Sequence, residues 1–585
     1  MARMPIHALR RAALHVSDTA AAPAHFAAEE LQRYLHAMTD ARLPIVPASA
    51  DAGTIVVAAH GAPARTSVPP QPGSFVIVPE AERITLAAAS PRALLERLGC
   101  RWSLHAPDEE TVPRLSVATL EVDPIQCTPP FALRGYCADI MAWHYTQPEY
   151  FHDRLPDDRA FIDWMGKSGA NRFFYIRHPF DSQLVIPELA TDFARRGIDV
   201  EYGGHVLPLL LPRELFQTHP EYFPEAPTGE RTVHGNLCTS NAGALATAQA
   251  NAVQYVRDFP EMAALHIWGA DLWRGGWCHC RACATSSAQD QSLRVCNAVA
   301  RGLAEAGVSR PVCYLAYHDT IDADLTLRPD PNVVAEFAPR ERCYGHALDD
   351  PSCATNRRYA AALECYVELF DGRVRLFEYY GDAILFFGCA VPLPQVIAAD
   401  LAYCRRLGIA EILMLQFGAF SLWAYPLNFL AFAAGTAGDP PAPPCEAYCA
   451  RFGTPAVTRA LFVELESIMG TIVRYGDIRR PPRDAEARHG ALERISAALP
   501  RLAALAARCA GADNAALAAQ GALIDYTRTV LDGVRCDLEP AADGEARYLA
   551  ALEIIDRVDR RFKGLWGTID LAIIHSLFRA APHAE

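Results

Sequence analysis

The middle of the chain alternates between short apolar runs and longer stretches with an apolar stripe at helical spacing. Runs typical of buried strands occur at residues 132–137, 172–176, 199–202, 264–268, 312–317, 333–337, 374–379 and 411–417. Helical patterns fall between most of them, at residues 158–167, 187–196, 244–258, 291–306, 356–370 and 394–407. Strands that alternate with helices form parallel sheets, and eight such units over roughly 300 residues predict a (β/α)8 TIM barrel of the α/β class.

The segments on either side of this repeat have different patterns. Residues 1–125 combine helical patterns at 25–38 and 91–98 with β-type runs at 54–59, 74–78 and 84–88. A proline-rich stretch at 440–444 indicates a hinge, and helical periods follow at 456–476, 486–508, 513–536 and 545–562. We therefore expect a small α/β accessory domain over 1–125, the barrel over 126–438 and a helical bundle over 439–585. The bundle either packs on the barrel or forms the contact of a homodimer.

Composition narrows the classes of partner. The 585 residues are 51% hydrophobic and 21% charged, as in ordinary globular proteins. A net charge of −14 argues against nucleic acid or an anionic membrane as the main partner. No apolar run is long enough for a transmembrane helix, and Arg10 and Arg11 interrupt what would be the apolar core of a signal peptide. We therefore expect a cytoplasmic protein whose 18 cysteines are mostly reduced.

In TIM barrels the chemistry lies at the C-terminal ends of the strands, so the residues there are the candidates for a site. Every predicted strand end or following loop carries polar, aromatic or charged side chains. The candidates for contacts with a substrate are Arg134, Trp143, His178, His205, Trp273, Tyr317, His318, Glu336, Arg340, Tyr380 and Trp423. Few purely structural barrels would show this convergence.

Two carboxylates, Asp271 and Glu378, end strands four and seven, which lie on opposite sides of a barrel mouth. Glycoside cleavage needs one group that acts as an acid and another that acts as a base or nucleophile. A sugar bound over the mouth would be flanked by both, so we expect these two residues to be catalytic, with His318 and Glu336 as reserves. The alternative is that each carboxylate only forms a salt bridge with a rim arginine.

Four cysteines are candidates for a metal site. Cys278, Cys280 and Cys283 lie within six residues, and Cys238 lies in a predicted rim loop that leads toward the same strand. Four thiolates complete the closed tetrahedral set of a structural zinc site. The alternative is a set of reduced or partly disulfide-bonded thiols that hold the loop. Catalytic zinc is less favoured, because thiolate-rich sites leave no open position, and no cofactor is expected for catalysis.

Several separated motifs resemble the proteins of domain-of-unknown-function family 4838 (DUF4838). They are HPEYF at 219–223, LCTSN at 237–241, WCHCRAC at 277–283, RCYGH at 342–346 with Cys353 and Asn356 after it, and FEYYGD at 377–382. These are barrel proteins, and some resemble glycoside hydrolase family 163, endo-β-N-acetylglucosaminidases that act on complex N-glycans. AAEELQRYL at 27–35 and LLERLGCRW at 94–102 are similar to the non-catalytic domain before the barrel in α-glucuronidases and β-hexosaminidases.

The resemblance implies a glycosidase that acts on an oligosaccharide or glycoconjugate, with an N-acetylhexosamine in the substrate. The sequence departs from family 20-type β-hexosaminidases, which have an Asp-Glu pair after strand four, because Leu272 follows Asp271 here. One alternative is an exo-acting hydrolase of an acidic sugar, a uronic or sialic acid, since guanidinium groups such as those of Arg134, Arg177 and Arg340 bind carboxylates in a bidentate way. The others are a non-catalytic carbohydrate-binding barrel and a metal-dependent hydrolase or lyase.

Overall fold

A computed structural model gives the fold of most of the chain. It describes residues 2–5, 13–47, 54–58, 75–80, 83–87, 92–102, 104, 110–115, 119–122, 125–138, 148–176, 187–272, 275–416, 424–453, 455–474, 478, 484–510 and 513–538, with a few positions between 546 and 557. No helix in these ranges is long and apolar enough to cross a membrane.

The N-terminal part of the chain is a mixed sheet covered by a helix. Its strands are β1 (Ala2–Pro5), β2 (Ala13–Val16), β3 (Ile45–Pro47), β4 (Thr54–Ala58), β5 (Phe75–Glu80), β6 (Arg83–Ala87), β7 (Thr119–Val122) and β8 (Ile125–Cys127). Six of them pair in the order β3-β2-β4-β6-β5-β8, while β1 pairs with β7. Helix α1 (Ala22–Thr39) buries Leu31 and Leu35 in a core shared with this sheet, and α2 (Arg92–Arg97) adds Leu94. The predicted helices and strands of this region are therefore present.

Eight parallel strands close into a barrel, which confirms the predicted TIM fold. They are β9 (Leu133–Ala138), β10 (Arg172–Ile176), β11 (Asp199–Gly204), β12 (Leu265–Ile267), β13 (Val312–Ala316), β14 (Val333–Phe337), β15 (Val374–Gly381) and β16 (Glu411–Gln416). Their order around the barrel is their order along the chain, and β16 closes the sheet by pairing with β9. The C-terminal ends of all eight strands consequently form one mouth.

All six predicted barrel helices are present. They are α3 (Pro148–Ser168), α4 (Pro187–Arg195), α5 (Ala242–Asp258), α6 (Ala288–Glu305), α7 (Ala354–Leu369) and α8 (Pro394–Arg406). The insertion between β11 and α5 is a rim segment with three short 3-10 helices, and it is anchored by buried side chains such as Leu207, Leu210 and Phe223. This segment lies over the mouth side of β11 and β12, because Leu207 N–H donates to Trp268 O at 3.1 Å.

The C-terminal part is helical and packs on the barrel. Its helices are α9 (Pro426–Ala437), α10 (Ala442–Ala450), α11 (Pro455–Met469), α12 (Ala485–Ala510) and α13 (Ala515–Leu538). Tyr526 donates its hydroxyl to Phe387 O at 2.6 Å, and Ala390 N–H donates to Thr527 Oγ1 at 2.8 Å. The helix predicted at 545–562 falls mostly outside the described residues.

The predicted hinge at 440–444 is wrong, because most of that stretch belongs to α10. Pro443 and Pro444 occupy its first turn. Proline is tolerated there because the N–H groups of a first turn have no acceptor within the helix. The prolines therefore start a helix and do not interrupt the packing of the C-terminal part.

The interior of the barrel below the mouth is polar. Arg375 near the start of β15 reaches across the barrel to Glu201 of β11, with Nη2 3.2 Å from Oε1. His266 of β12 lies between Glu201 Oε2 at 2.8 Å and Glu336 Oε2 at 2.7 Å. All four side chains are buried. Charged side chains thus fill a layer that branched apolar residues occupy in most TIM barrels.

Candidate active site

The residues of β15 point alternately to the two sides of the barrel wall, as in any strand. Arg375 faces the interior, because it contacts Glu201 on the opposite side of the barrel. Two residues further on, the ring of Phe377 lies against Trp268, the residue after β12, with 5.7 Å between ring centroids, so it also faces the interior. Glu378 follows Phe377 and therefore points outward, toward the surrounding helices.

The outward position of Glu378 contradicts the expectation that it lines the mouth. Its carboxyl group is fully buried, and Oε1 lies 3.5 Å from Arg342 Nη1. Arg342 Nη2 is 2.5 Å from Asp400 of α8, and Tyr380 donates its hydroxyl to the same Asp400 oxygen at 2.7 Å. Glu378 and Tyr380 thus lie between the barrel wall and α8, which leaves neither in a position to contact a sugar in the mouth.

The electrostatic environment of Glu378 follows from this packing. Burial raises the pKa of its carboxyl to about 8, although the nearby Arg342 opposes the shift. Asp400 raises it further, because its charge repels a second negative charge. A raised carboxyl pKa is a common mark of an active site, but here it has a structural cause.

Two further candidates lie away from the mouth. Arg134 is near the start of β9, and its buried guanidinium donates to Phe131 O at 3.0 Å. Strand starts lie at the end of the barrel opposite the mouth, so the sequence placed Arg134 at the wrong end. Glu336 faces the interior but belongs to the buried network with His266, below the mouth. Trp143, His178, Trp273 and Trp423, and also Arg177, lie outside the described residues.

The loop after β12 carries Asp271 to the mouth. His205 at the end of β11 has Nδ1 2.5 Å from Gly269 O, and Ala270 N–H donates to Asn236 Oδ1 at 2.7 Å. Asn236 also donates from its side chain to Gly275 O. These contacts fix both ends of the turn, while Asp271 itself is exposed to solvent. The predicted positions of Asp271 and His205 at the mouth therefore agree with the structure.

Asp319, which follows β13, is the second carboxylate of this region. Trp277 donates its indole N–H to Asp319 Oδ2 at 2.9 Å, so the loop that carries Asp271 also contacts Asp319. Burial raises the pKa of the Asp319 carboxyl. The preceding residue, His318, has φ of +50°, a conformation that is strained for a residue with a side chain. Strain of this kind persists only where the surrounding structure imposes it.

Sequence reasoning assigned no role to Asp319. The signal was present, because Asp319 follows Tyr317 and His318 at a strand end. What the sequence could not give was the contact with Trp277, which lies 42 residues earlier in the chain.

Tyr317, His318 and Arg340 come together on the β13–β15 side of the mouth. His318 Nδ1 is 2.7 Å from Glu341 Oε1. Arg340 Nη2 is 2.8 Å from Asp382 Oδ2. The ring of Tyr379 stacks near Tyr317, with 6.4 Å between centroids. Aromatic faces and hydrogen-bonding groups thus lie side by side, which is the combination that sugar rings bind.

The four cysteines of the predicted metal site form one buried cluster. The sulfurs of Cys238, Cys278, Cys280 and Cys283 all lie within 4.8 Å of one another, and those of Cys238 and Cys280 are 3.8 Å apart. All four thiols are free. Glu225 N–H donates to Cys278 Sγ at 3.4 Å. Four buried sulfurs at these distances fit the donor set of a structural zinc ion.

The cysteine cluster lies where the rim segment meets the loop after β12. Cys238 belongs to the rim segment, and the other three cysteines follow Trp277 directly. Gln291 of α6 holds the backbone at this point, since its Oε1 accepts from Cys278 N–H at 3.1 Å. A metal ion bound there would tie both segments to the mouth.

Comparison with known proteins agrees with the fold. Residues 169–418 match the family model described as domain of unknown function DUF4838. This match covers most of the barrel. It extends from the end of α3 beyond β16, so it includes Asp271, Asp319 and all four clustered cysteines. No curated protein matches the chain.

Two solved structures are similar in fold to this barrel and its flanking parts. One is a family GH115 4-O-methyl-α-glucuronidase with specificity for decorated arabinogalactans, 13% identical, with 97% of this chain and 79% of that chain covered and a TM-score of 0.59. The other is a GH138 enzyme targeting pectin rhamnogalacturonan II, 11% identical, with 95% and 74% covered and a TM-score of 0.54. At these identities the likeness concerns the fold.

Proposed function

We propose that this protein is a glycoside hydrolase whose active site is the mouth of the barrel. The observation that carries the proposal is the contact between Trp277 and Asp319, which joins the loop that carries Asp271 to a carboxylate at the end of the adjacent strand. Asp319 has a raised pKa and Asp271 is open to solvent. Glycosidases pair a carboxylic acid that keeps its proton with a second, ionised carboxylate, and the two are separated by their environments.

The two carboxylates receive different roles. Asp319 is the general acid, because burial favours its protonated form and Trp277 fixes the orientation of its carboxyl group. Asp271 is the base or nucleophile, because its exposed carboxylate is accessible to water and to a sugar bound at the mouth. This assignment replaces the pair of Asp271 and Glu378, since Glu378 faces α8. A separation of about 5 Å between the two groups in the substrate complex would favour retention, and roughly 6.5–9.5 Å would favour inversion.

An N-acetylhexosamine-containing glycan is the proposed substrate. The motifs that resemble family 163 endo-β-N-acetylglucosaminidases support it, and two of them, at 219–223 and 277–283, lie in the rim segment and the loop after β12. The alternative substrate is an acidic sugar, and the similar fold of the glucuronidase favours it. The arginines that would bind the carboxylate of such a sugar give it less support. Arg134 is at the opposite end of the barrel, and the charge of Arg340 is balanced by Asp382.

The proposal includes a structural zinc ion held by Cys238, Cys278, Cys280 and Cys283. Four cysteine ligands leave no position open for water, so this ion would supply no catalytic chemistry. Its role would be to hold the rim segment against the loop that carries Asp271.

A hydrolysis screen with matched variants tests the proposal. Purified wild type is assayed against aryl N-acetylhexosaminides, uronides and sialosides and a panel of oligosaccharides, beside Asp271→Asn, Asp319→Asn and the control Glu378→Gln. We expect each aspartate variant to lower kcat by about 10²–10⁴-fold with an unchanged fold, while Glu378→Gln keeps most of the activity. Asp319→Asn should lose least on substrates with very acidic leaving groups, which need little help from an acid.

Three outcomes would contradict the proposal in different ways. Full activity of Asp319→Asn would remove it as the acid. Loss of activity in Glu378→Gln without loss of folding would restore that residue to the mechanism. Binding of glycans without turnover across the whole panel would identify a carbohydrate-binding protein.

A further inference from the structure

A second group of metal-ligand side chains lies on the loop between β14 and α7. The ligand atoms of Cys343, His346 and Cys353 all lie within 4.8 Å of one another, and Cys343 Sγ is 3.2 Å from His346 Nδ1. Ligand atoms around a tetrahedral zinc ion are roughly 3.5–4 Å apart. The three donors are therefore already about as close as a shared metal ion requires.

One buried asparagine holds the backbone of this loop in place. The Oδ1 atom of Asn356 accepts from Cys343 N–H at 2.8 Å. Its Nδ2 atom lies within hydrogen-bond distance of the carbonyl oxygens of Cys343, His346 and Ala347, at 2.9, 3.1 and 2.9 Å. Asn356 is fully buried. The backbone at two of the three ligands is thus held in place before any ion binds. Less conformational entropy is therefore lost when the ion binds.

The third ligand is fixed independently. Cys353 directly precedes α7, and its backbone N–H donates to Asp350 O at 3.2 Å. Cys343 and Cys353 are buried, while His346 is half-buried and therefore within reach of solvent. Both sulfurs lie within 4.8 Å of an imidazole nitrogen of His346, and no disulfide joins them. The group therefore combines two shielded thiols with a path for an ion to enter.

We propose that Cys343, His346 and Cys353 bind a zinc ion. Two thiolates and one imidazole are the ligands that zinc prefers over the harder ions magnesium and calcium. Among the described residues no fourth His, Cys, Asp or Glu joins this group, so a water molecule would complete the coordination of the ion. This site is separate from the four-cysteine cluster, and no residue belongs to both.

The ion would stabilise the loop that carries Arg342. Arg342 directly precedes Cys343, and its guanidinium contacts Asp400 and Glu378 in the wall between barrel and α8. Tyr344 N–H donates to Val473 O at 3.0 Å, which joins the same loop to the segment after α11. An ion bound in this loop would therefore stabilise a segment that joins the barrel to the C-terminal helices. The inference does not depend on the glycosidase activity.

Zinc content measured by elemental mass spectrometry tests the proposal on the full-length protein. Cys353→Ser removes one ligand, and Cys365→Ser is the matched control, because Cys365 is an exposed free thiol on α7 outside both clusters. We expect Cys353→Ser to hold one zinc ion fewer per chain than both wild type and Cys365→Ser. Cys283→Ser reports the four-cysteine cluster separately, so its result distinguishes the two sites.

Equal zinc content in Cys353→Ser and Cys365→Ser would overturn the inference. So would a disulfide between Cys343 and Cys353, detected by peptide mapping without reductant in protein purified under reducing conditions. If Cys353→Ser does not fold, His346→Ala is measured instead, since its half-buried side chain is less important for packing. We expect it to lose the same ion on dialysis against a chelator that leaves the ion in Cys365→Ser, and retention would overturn the inference.

Discussion

Glu378 lies 3.5 Å from Arg342 in the wall between the barrel and α8, with both side chains fully buried. Asp400 is closer to the same guanidinium, at 2.5 Å. One positive charge therefore faces two carboxyl groups, and the more distant one is not fully balanced. Because burial raises the pKa of Glu378 to about 8, this carboxyl carries its proton at neutral pH. It acts as a neutral packing group and not as an acid of the mouth.

We predict that Glu378→Gln changes how stability depends on pH. The pKa of Glu378 is raised in the folded state, so the folded state binds the proton more tightly than the unfolded state. The stability that this provides is complete below the usual pKa of 4.5 and is lost as the pH rises through about 8. In that window the slope reaches about 1.4 kcal/mol per pH unit. Glutamine mimics the protonated acid and should remove this slope.

Thermal denaturation between pH 5.5 and 8.5 measures the effect. Wild type should lose Tm relative to Glu378→Gln as the pH rises. Glu368→Gln, which removes an exposed carboxylate from α7, serves as the control and should follow wild type. Parallel curves for wild type and Glu378→Gln would show that Glu378 is ionised throughout the range.

The face to which Glu378 points is also where sequence reasoning reached its limit. The strand itself was predictable, because a run of β-type residues follows a helix and precedes another. All eight residues of β15 are buried, however, so the strand has no alternation of apolar and polar positions from which the inner face could be recognised. In the sequence Glu378 lies near the end of the predicted strand and looks catalytic, and only the contacts of Arg375 and Phe377 reveal that it points outward.

How well the positions of the other site residues could be predicted depended on different physical factors. Asp271 and His205 were predictable because strand ends in a barrel converge by topology alone. Arg134 was assigned to the wrong end of its strand, because the start and the end of a predicted strand are only a few residues apart. A guanidinium at the start of a strand lies at the end of the barrel opposite the mouth. The four-cysteine cluster could be anticipated from spacing, whereas the Cys343 group depends on a folded loop that brings Cys353 back to His346.

The polar interior of the barrel leads to a second prediction. Arg375→Ala removes from buried Glu201 the positive group that contacts it most closely, through two nitrogens, and leaves this carboxylate with Arg172 at 3.4 Å and the His266 ring. We expect the free energy of unfolding to fall by about 3–5 kcal/mol. Arg373→Ala is the control, because Arg373 contacts the exposed Asp371 at 3.7 Å and should cost less than about 1 kcal/mol. Urea denaturation of both variants measures the difference, and equal midpoints would contradict the role of the interior pair.

The four-cysteine cluster leads to a third prediction. Because it joins the rim segment to the loop that carries Asp271, loss of one ligand should affect both stability and turnover. We expect Cys283→Ser to lose zinc, to melt at a lower temperature than Cys365→Ser, and to show a lower kcat on the substrate identified in the screen. Normal kcat in a variant that has lost zinc would show that the ion does not support the mouth.

The fourth prediction concerns Gly275, which follows Asp271 in the same loop and packs against Trp277 and Asp319. Its φ is +67°, and a methyl group added there would collide with Trp277 Nε1 and Asp319 Oδ2. Gly275→Ala should therefore displace the Asp319 carboxyl, and a displacement of about 1 Å can lower kcat by about a hundredfold. The variant should also lose stability, because alanine is strained at a positive φ.

Gly307→Ala separates these two effects. Gly307 has φ of +70°, but an added methyl group would meet no atom within 4 Å. It therefore has the same backbone strain without the collision at the mouth. We expect both variants to lose Tm, Gly275→Ala by more because of the collision, while only Gly275→Ala loses kcat on the hydrolysed substrate. If both keep full activity, the position of Asp319 against Trp277 is not needed for turnover, and the assignment of Asp319 as the acid fails with it.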